Sequence, residues 1–201
     1  MKKIFCLLAV AVLMGFAGSA SAAGAYVGTG LGYSFPGFNG DMGDFLDSQE
    51  GGFSWEYLHV GYNFTDNIGV NLLWGQAAGT ADIGEDADWT NDYLDVNLRY
   101  TFKMDAVSPY IEAGLGSYTL SAESDHVNID LDPVLGYRLG VGGIIPISSF
   151  YVAPEFSYHW AEFDEGDIHI SGMGSGSVSN AGGGDFGLLS LKIGYMFGGK
   201  K

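Results

Sequence analysis

Six charged residues in this chain each have an apolar residue on both sides. They are three acids and three bases: Asp95, Arg99, Glu112, Arg138, Glu155 and Lys192. Charged side chains can be buried only when they are paired and hydrogen-bonded. Equal numbers of the two signs therefore predict an internal network of ion pairs. One interpretation is a structural network that fills an interior, and the other is a gate whose pairs exchange partners to open a narrow pore.

A second set of acids lies in four segments rich in Gly, Asp and Ser, which hold 18 of the 24 Asp and Glu residues. Clustered carboxylates suit Ca²⁺ or Mg²⁺. The candidate ligands for a divalent cation are Asp41, Asp44, Asp47, Asp82, Glu85, Asp86 and Asp88. No segment has the ligand spacing of an EF-hand loop. The alternatives are a solvated, repulsive surface and a surface that binds a basic partner more weakly as salt rises.

Nucleophilic and metal chemistry have little support. His159 is followed at a distance by Ser179-Asn180, which faintly resembles the His-x-Ser-Asn motif of outer-membrane lipid A deacylases. The residue two positions after His159 is Ala161, however, and the sequence has no Gly-x-Ser-x-Gly elbow. The other histidines lack the spacing of metal ligands. The sequence therefore predicts no catalytic residue, no firm metal site and no cofactor.

The first 22 residues have the features of a secretory signal peptide. Lys2 and Lys3 begin it, an apolar stretch follows over 4–16, and Ala20-Ser21-Ala22 supplies the cleavage pattern. We therefore predict a signal peptide over 1–22 and one domain over 23–201. Cys6 leaves with the signal peptide, so the mature chain uses no disulfide bond. No later stretch approaches the roughly 18 apolar residues of a transmembrane helix.

The mature chain is strongly acidic. After cleavage, six Lys and Arg residues remain against 24 Asp and Glu residues, a formal net charge of −18. This charge argues against nucleic acid as a partner, because binding requires cations that neutralise phosphates. The high content of Phe, Trp and Tyr, 14% of the chain, argues against disorder.

Alternation of apolar and polar residues dominates the chain and predicts β-strands. In the last strand the two faces are Leu189, Leu191, Ile193, Tyr195 and Phe197 against Ser190, Lys192 and Gly194. A large apolar face opposite a charged face fits a closed barrel with lipid outside and a polar interior. The predicted strands are Ala25–Phe35, Phe53–Phe64, Ile68–Gln76, Leu94–Phe102, Tyr110–Leu120, Leu135–Ile145, Tyr151–Phe163 and Phe186–Phe197. Connections alternate between short and long, which is typical of transmembrane barrels with long extracellular loops. The predicted fold is an all-β, eight-stranded, antiparallel, up-and-down transmembrane β-barrel.

Three details of these strands carry predictions. Glu56 would face lipid if the alternation ran unbroken, so the second strand must leave the membrane or bulge above Leu58. Twelve strand glycines fall on the inward face. The interior of an eight-stranded barrel is just wide enough to be filled by side chains, so large inward residues require small ones opposite them. Aromatic residues near the strand ends predict two interfacial girdles. One girdle is Phe64, Phe102, Phe150, Tyr151 and Phe197, and the other is Trp74, Tyr118 and Trp160.

Two motifs carry a family resemblance. They are Pro109-Tyr110-Ile111-Glu112-Ala113-Gly114-Leu115-Gly116 and the ending Lys192-x-Gly194-Tyr195-x-Phe197. With the signal peptide and eight strands, they resemble the small outer-membrane β-barrel proteins of the OmpA/OmpX type, over essentially the whole mature chain. The resemblance implies a monomer integral to the outer membrane of a Gram-negative cell, in contact with outer-membrane lipid and lipopolysaccharide. The ending looks like the β-signal recognised by the barrel-assembly machinery, which would give Lys192, Gly194, Tyr195 and Phe197 an assembly role.

The function predicted from these features is non-enzymatic. The acidic extracellular loops would contact something outside the cell or stabilise the outer leaflet, through divalent cations or a basic extracellular partner. A narrow porin-like channel or a carrier of small apolar molecules is the rival interpretation. A lipid A-modifying enzyme is a distant third. An interior filled by Arg99, Arg138 and Lys192 would favour the surface role, whereas a ligand-sized lumen would favour transport.

Overall fold

A computed structural model describes residues 24–38, 48–49, 51–82, 86–172 and 174–197. The described strands are β1 (Gly24–Phe38), β2 (Ser48–Gln49), β3 (Gly52–Asn63), β4 (Ile68–Asp82), β5 (Asp86–Thr101), β6 (Ser108–Glu123), β7 (Val127–Leu131), β8 (Val134–Ile147), β9 (Phe150–Trp160), β10 (Glu162–Ile170) and β11 (Gly174–Met196). None of these described segments is a helix long and apolar enough to cross a membrane. The predicted signal peptide over 1–22 lies outside the described residues and stays a prediction.

Eight of the strands close into an antiparallel ring, as the alternation predicts. The order around the ring is β1, β3, β4, β5, β6, β8, β9, β11 and back to β1. The closing pair runs from Tyr26 opposite Met196 to Phe38 opposite Gly184. Closure gives every strand two neighbours, so the backbone groups are satisfied without water. The turns over 64–67, 102–107 and 148–149 are short and lie at one end, which is the periplasmic end by the usual orientation of such barrels.

At the opposite end the wall extends well beyond the ring. Much of the chain predicted as long Gly-, Asp- and Ser-rich loops is strand. The β4–β5 hairpin remains paired out to Asp82 opposite Asp86. β7 pairs with both β6 and β10, and β10 pairs with the first half of β11. Alternate residues Ile129, Leu131 and Phe163 turn inward and are buried. They pack in one apolar cluster with Tyr118 and Phe186 of the ring, so the extension shares the core of the barrel.

The two faces of the ring have opposite character. The outer face carries exposed apolar side chains: Leu31, Val96, Leu98, Ile111, Leu115, Leu139, Val141, Phe156, Leu189, Leu191 and Ile193. The inner face is polar or small at the middle of the ring. An exposed apolar band of this kind is stable only against lipid. The observed partition therefore confirms the predicted inward and outward parity of the strands.

Inward glycines make room for inward tyrosines. A Cβ atom on Gly142 would lie 2.5 Å from Cζ and from the hydroxyl of Tyr110, and one on Gly75 would lie 2.5 Å from the Tyr93 hydroxyl. Gly194 has the same relation to Tyr151. A barrel of eight strands is just wide enough for side chains to fill it. The one-sided placement of the glycines thus reflects steric demand in the interior.

Substitution of Gly142 by alanine tests this packing. The added Cβ would also lie 2.7 Å from the Pro154 carbonyl oxygen, and the Tyr110 ring cannot swing aside because its hydroxyl donates to Glu155. We expect a loss of about 1–3 kcal/mol in the free energy of unfolding, measured by urea titration in lipid vesicles. Gly187→Ala is the matched control, since its Cβ would meet nothing nearer than 3.6 Å. Equal stability of the two variants would contradict the packing argument.

Two residues of the predicted girdles lie inside the barrel instead. Tyr118 and Tyr151 are buried in the lumen, so their assignment to the girdles was wrong. Tyr118 is in phase with inward Glu112, and Tyr151 is in phase with inward Glu155. Strand parity overrides the preference of aromatic residues for strand ends. The remaining girdle residues, Phe64, Phe102, Phe150, Phe197, Trp74 and Trp160, are exposed on the outer surface as predicted.

The second of the predicted alternatives for Glu56, a bulge, is correct. The pairing of β3 with β4 shifts between Glu56 and Leu58, so Tyr57 is the extra residue. Tyr57 and Leu58 are consecutive and both exposed, whereas Glu56 is buried. The Thr29 hydroxyl donates to the Glu56 carbonyl oxygen at the bulge. The bulge therefore turns an acid that would have faced lipid into the lumen.

Candidate functional site

The six charges predicted to face inward come together in the lumen. Glu112 on β6 is at their centre. Its Oε1 lies 2.6 Å from Nη1 of Arg138, and its Oε2 lies 3.0 Å from Nε of Arg99. Lys192 approaches Glu112 Oε1 at 3.9 Å. Three cations from β5, β8 and β11 thus converge on one carboxylate.

Glu155 on β9 is the second anchor of the network. Arg138 Nη2 forms a short ion pair with Glu155 Oε1, and Lys192 Nζ lies 2.8 Å from the same oxygen. The Tyr110 hydroxyl donates to Glu155 Oε2 at 2.6 Å. Since the two carboxylates Glu112 and Glu155 share Arg138 and Lys192, the pairs form one connected network.

Asp95 is joined to the network less tightly. The Tyr118 hydroxyl donates to Asp95 Oδ1 at 2.6 Å. Its Oδ2 lies 3.8 Å from Arg138 Nε and from His159 Nδ1, and it accepts no hydrogen bond from a protein group. Asp95 therefore relies on a neutral tyrosine for its strongest contact.

The structure adds members that the sequence prediction missed. Lys192 Nζ lies 3.3 Å from Glu56 Oε1. His59 Nε2 lies 3.3 Å from Arg99 Nη2, and because guanidinium can only donate, this ring nitrogen accepts. The sequence did give a sign of Glu56, because an unbroken alternation in the second strand would have placed this acid against lipid. No sequence signal distinguishes His59 from an ordinary strand residue.

Two asparagines complete the middle of the lumen. Asn71 Nδ2 donates to Glu112 Oε2 at 2.8 Å, and Asn97 Nδ2 donates to Asn71 Oδ1 at 3.0 Å. Amide donors supply the hydrogen bonds that the cations leave open on a carboxylate. The network is thereby held from β4 and β5 as well.

Aromatic layers cover the network on both sides. Toward the short turns lie Tyr26, Tyr110 and Tyr151, and the Arg99 guanidinium sits 4.3 Å above the Tyr110 ring. Toward the extension lies an apolar cluster: Ala77, Trp89, Tyr93, Tyr118, Leu120, Ala122, Ile129, Leu131, Ala161, Phe163, Phe186 and Leu188. The six predicted charges are at most 3% exposed. The lumen is filled, so the structural interpretation of the network fits its geometry.

A Ser-His-Asp grouping occurs within the lumen, but it does not form a catalytic triad. His159 Nε2 lies 3.1 Å from Ser157 Oγ. The Tyr118 hydroxyl, rather than Asp95, is the nearer partner of His159 Nδ1, at 3.1 Å. All of these side chains are buried, which leaves no access for a substrate.

The Ser179-Asn180 pair is also remote from His159. Ser179 pairs with Glu165, whereas His159 pairs with Phe186. Seven residues of β11 separate the two positions, roughly 23 Å at the rise of a strand. The faint resemblance to a lipid A deacylase motif therefore has no counterpart in the arrangement of the backbone.

The predicted divalent-cation ligands are described only in part. Asp41, Asp44, Asp47 and Glu85 lie outside the described residues. Asp82 and Asp86 are described by their backbone pairing alone, and Asp88 is exposed on β5. Within the described part of the chain, no group of three or more His, Cys, Asp or Glu side chains could hold a metal ion. The divalent-cation site stays a prediction.

Exposed acids instead cover the outward face of the extension. We call this face the acidic wall, and it comprises Asp88, Asp92, Glu123, Asp130, Asp132, Glu162, Asp164, Glu165 and Asp167. Asp88 pairs directly with Glu123, and Asp130 pairs directly with Asp167. Like charges opposite one another in a sheet repel. The rigid strands therefore hold acids closer than a flexible loop would.

The residues of the predicted assembly signal occupy both faces of β11. Lys192 is buried in the lumen and Gly194 packs against Tyr151 there. Tyr195 and Phe197 are exposed outward, and their rings contact each other at 4.9 Å. The role of these residues in assembly stays a prediction.

Known proteins with this architecture place the chain among barrels. The family model described as "Outer membrane protein beta-barrel domain" matches residues 6–197. The crystal structure of Neisserial surface protein A has a TM-score of 0.65 and 14% identity, over 88% of this chain and all of that one. A major outer membrane protein from Thermus thermophilus has a TM-score of 0.60 and 18% identity, over 88% of this chain and 100% of that one. No curated protein sequence matches the chain. These likenesses show the fold.

Proposed function

The chain belongs to the outer membrane protein beta-barrel domain family and is an integral protein of the Gram-negative outer membrane, and on this premise we propose that it is a non-enzymatic surface protein. Its barrel anchors the acidic wall, which binds a basic extracellular partner. The observation that carries the proposal is the contrast between a filled lumen and an exposed, strand-built and predominantly acidic extracellular face.

The distribution of cations supports this assignment. The Lys and Arg residues that the structure describes are Arg99, Lys103, Arg138 and Lys192. Three are buried in the lumen, and Lys103 pairs with Asp66 at 2.8 Å by the short turns. None of the described Lys and Arg residues therefore neutralises the acidic wall. Its field attracts cationic groups and speeds their encounter.

A basic polypeptide fits the wall better than a chelated metal ion. The acids are spread across β5, β6, β7 and β10 rather than gathered around one point. A polypeptide with several lysines or arginines can neutralise acids along a sheet, whereas a divalent cation requires converging oxygens. The alternative to be tested against a basic polypeptide is contact with lipopolysaccharide through bridging divalent cations.

The rival roles require access that this interior does not offer. A channel or a carrier needs a lumen that solvent or ligand can enter, and the charges of the network are buried between two aromatic layers. An enzyme needs a reachable nucleophile or metal, and Ser157 beside His159 is buried. Both considerations support the surface role.

Binding of an octalysine peptide to the barrel in zwitterionic nanodiscs tests the proposal. We expect saturable binding that weakens as salt rises from about 50 to 200 mM, because the charges are exposed and screened. Asp130→Asn with Asp167→Asn should weaken binding about threefold to tenfold, given the usual strength of exposed charge pairs. Both measurements use isothermal titration calorimetry.

The matched control removes two acids at the other end of the barrel, Asp66→Asn with Asp105→Asn. Both residues are exposed near the short turns, so octalysine affinity should not change. Loss of affinity in this control would contradict a role for the acidic wall. Saturable heat with Ca²⁺ or Mg²⁺, together with no heat from octalysine, would assign the wall to divalent cations instead.

A further inference from the structure

The described part of the lumen carries more negative than positive formal charge. Its buried carboxylates are Glu56, Asp95, Glu112 and Glu155, and its buried Lys and Arg residues are Arg99, Arg138 and Lys192. Four acids against three bases leave one negative charge over in the described interior. Burying an uncompensated charge is costly, so either one carboxyl is protonated or another positive charge lies within the lumen.

The two buried histidines do not need to supply this charge. His59 accepts from Arg99 through Nε2, so that nitrogen carries no proton. At His159, the Tyr118 hydroxyl already donates to Asp95, so its oxygen accepts from Nδ1–H, while Ser157 Oγ can donate to Nε2. A neutral ring thus has a partner for both nitrogens. Both histidines fit the lumen in their neutral form.

The excess negative charge is least well compensated by hydrogen bonds at Glu56. Glu112 is contacted by three cations and Glu155 by two. Glu56 has only Lys192 at 3.3 Å, and Lys192 lies nearer to Glu155, at 2.8 Å. Neither carboxylate oxygen of Glu56 accepts a hydrogen bond from a protein group, although the residue is 1% exposed. Asp95 lies farther from a cation, at 3.8 Å from Arg138, but it accepts a hydrogen bond from the Tyr118 hydroxyl. Among the described lumen carboxylates, Glu56 is thus the one that accepts no hydrogen bond from the protein.

Neutral oxygens without partners surround the same stretch of wall. The hydroxyls of Ser34 on β1 and Ser190 on β11 are buried and lack a hydrogen-bond partner. Ser54 on β3 and Ser190 both pair with Gly32, while Glu56 and Lys192 both pair with Gly30. The two glycines place no side chain between the β3 oxygens and the β11 oxygens.

We infer that the barrel binds one monovalent cation of the size of Na⁺ or K⁺ at this point of the lumen. The Glu56 carboxylate supplies the charge, and the hydroxyls of Ser54 and Ser190, with internal water, supply further oxygens. Hard cations prefer oxygen ligands, and hydroxyl, carbonyl and water oxygens suffice for a monovalent ion. Water alone would satisfy the orphaned hydroxyls, but it would leave the excess charge unless Glu56 were protonated.

The ionic composition of the buffer tests this inference. Unfolding temperature is measured for the folded barrel in NaCl, KCl and N-methyl-D-glucamine chloride at equal ionic strength. A ligand that binds only the folded state raises its stability, so the wild type should unfold at a temperature several degrees higher in NaCl or KCl. Glu56→Gln should abolish the difference. Asp66→Asn removes an exposed acid at the short turns and should retain it.

If Glu56→Gln fails to fold, the bound cation can be located in the wild type by crystallography. Wild-type barrel refolded and crystallised in RbCl should show an anomalous peak within about 3 Å of the Glu56 carboxylate, a distance typical of oxygen ligation. Equal unfolding temperatures of the wild type in all three salts would overturn the inference and would indicate a protonated carboxyl in place of a bound cation. A cation effect that persists in Glu56→Gln, absence of the rubidium peak, or an imidazolium signal from His159 by nitrogen NMR would also overturn it.

Discussion

Replacing Arg138 with methionine is expected to lower the free energy of unfolding by about 3–5 kcal/mol, the largest effect of any single charge removal in this barrel. Arg138 pairs with Glu112 and Glu155, and it faces Asp95 at 3.8 Å. Its loss leaves four buried carboxylates, Glu56, Asp95, Glu112 and Glu155, against two buried cations, Arg99 and Lys192. Urea titration in lipid vesicles, followed by tryptophan fluorescence and by the mobility of unheated protein on gels, measures the change.

Lys103→Met is the control for Arg138→Met. Lys103 also forms an ion pair, with Asp66 at 2.8 Å, but both side chains are 59% exposed. An exposed pair contributes about 0–1 kcal/mol, so this variant should be close to the wild type. Adding Glu155→Gln to Arg138→Met should recover part of the loss, because one uncompensated charge is removed. Comparable stability of Arg138→Met and Lys103→Met would show that the lumen is wetter than its burial indicates.

Strand parity explains why most of the network could be predicted from the sequence. Successive side chains of a strand point to opposite faces, so one lipid-facing residue determines which of its neighbours along the strand point inward. Arg99 and Glu112 were therefore placed correctly without knowledge of the neighbouring strands. The bulge at Tyr57 breaks the count, and the register of β3 against β4 is required to locate it. Glu56 therefore entered the network only with the structure.

The errors in the prediction have two physical causes. Tyr118 and Tyr151 were assigned by residue type to interfacial girdles, whereas the steric pairing of inward tyrosines with inward glycines decides their position. The extension was missed because Gly, Asp and Ser are common in loops. Pairing of β7 with β10 links segments about 40 residues apart, and only tertiary contacts reveal it.

Lys192→Met is expected to be the second most destabilising charge removal, by roughly 3 kcal/mol, since it also breaks a buried pair from one side. The Lys192 ammonium joins β11 to Glu155 on β9 and, across β1, to Glu56 on β3. Lys192 therefore links β9 and β3, the strands that flank the closing pair of β1 and β11. The variant should refold slowly or incompletely from urea into lipid vesicles that contain no assembly machinery, as measured by the gel mobility of unheated protein.

Tyr195→Ala separates this structural role of Lys192 from its predicted role in assembly. Tyr195 faces outward and contacts Phe150 and Phe197 by ring edges at 5.3 and 4.9 Å, so its loss should cost only about 1 kcal/mol in vesicles. If both residues belong to an assembly signal, both variants should accumulate poorly in the outer membrane of cells. Normal refolding of Lys192→Met in vesicles with failure in cells would mean that Lys192 acts through recognition, and that the network tolerates its absence.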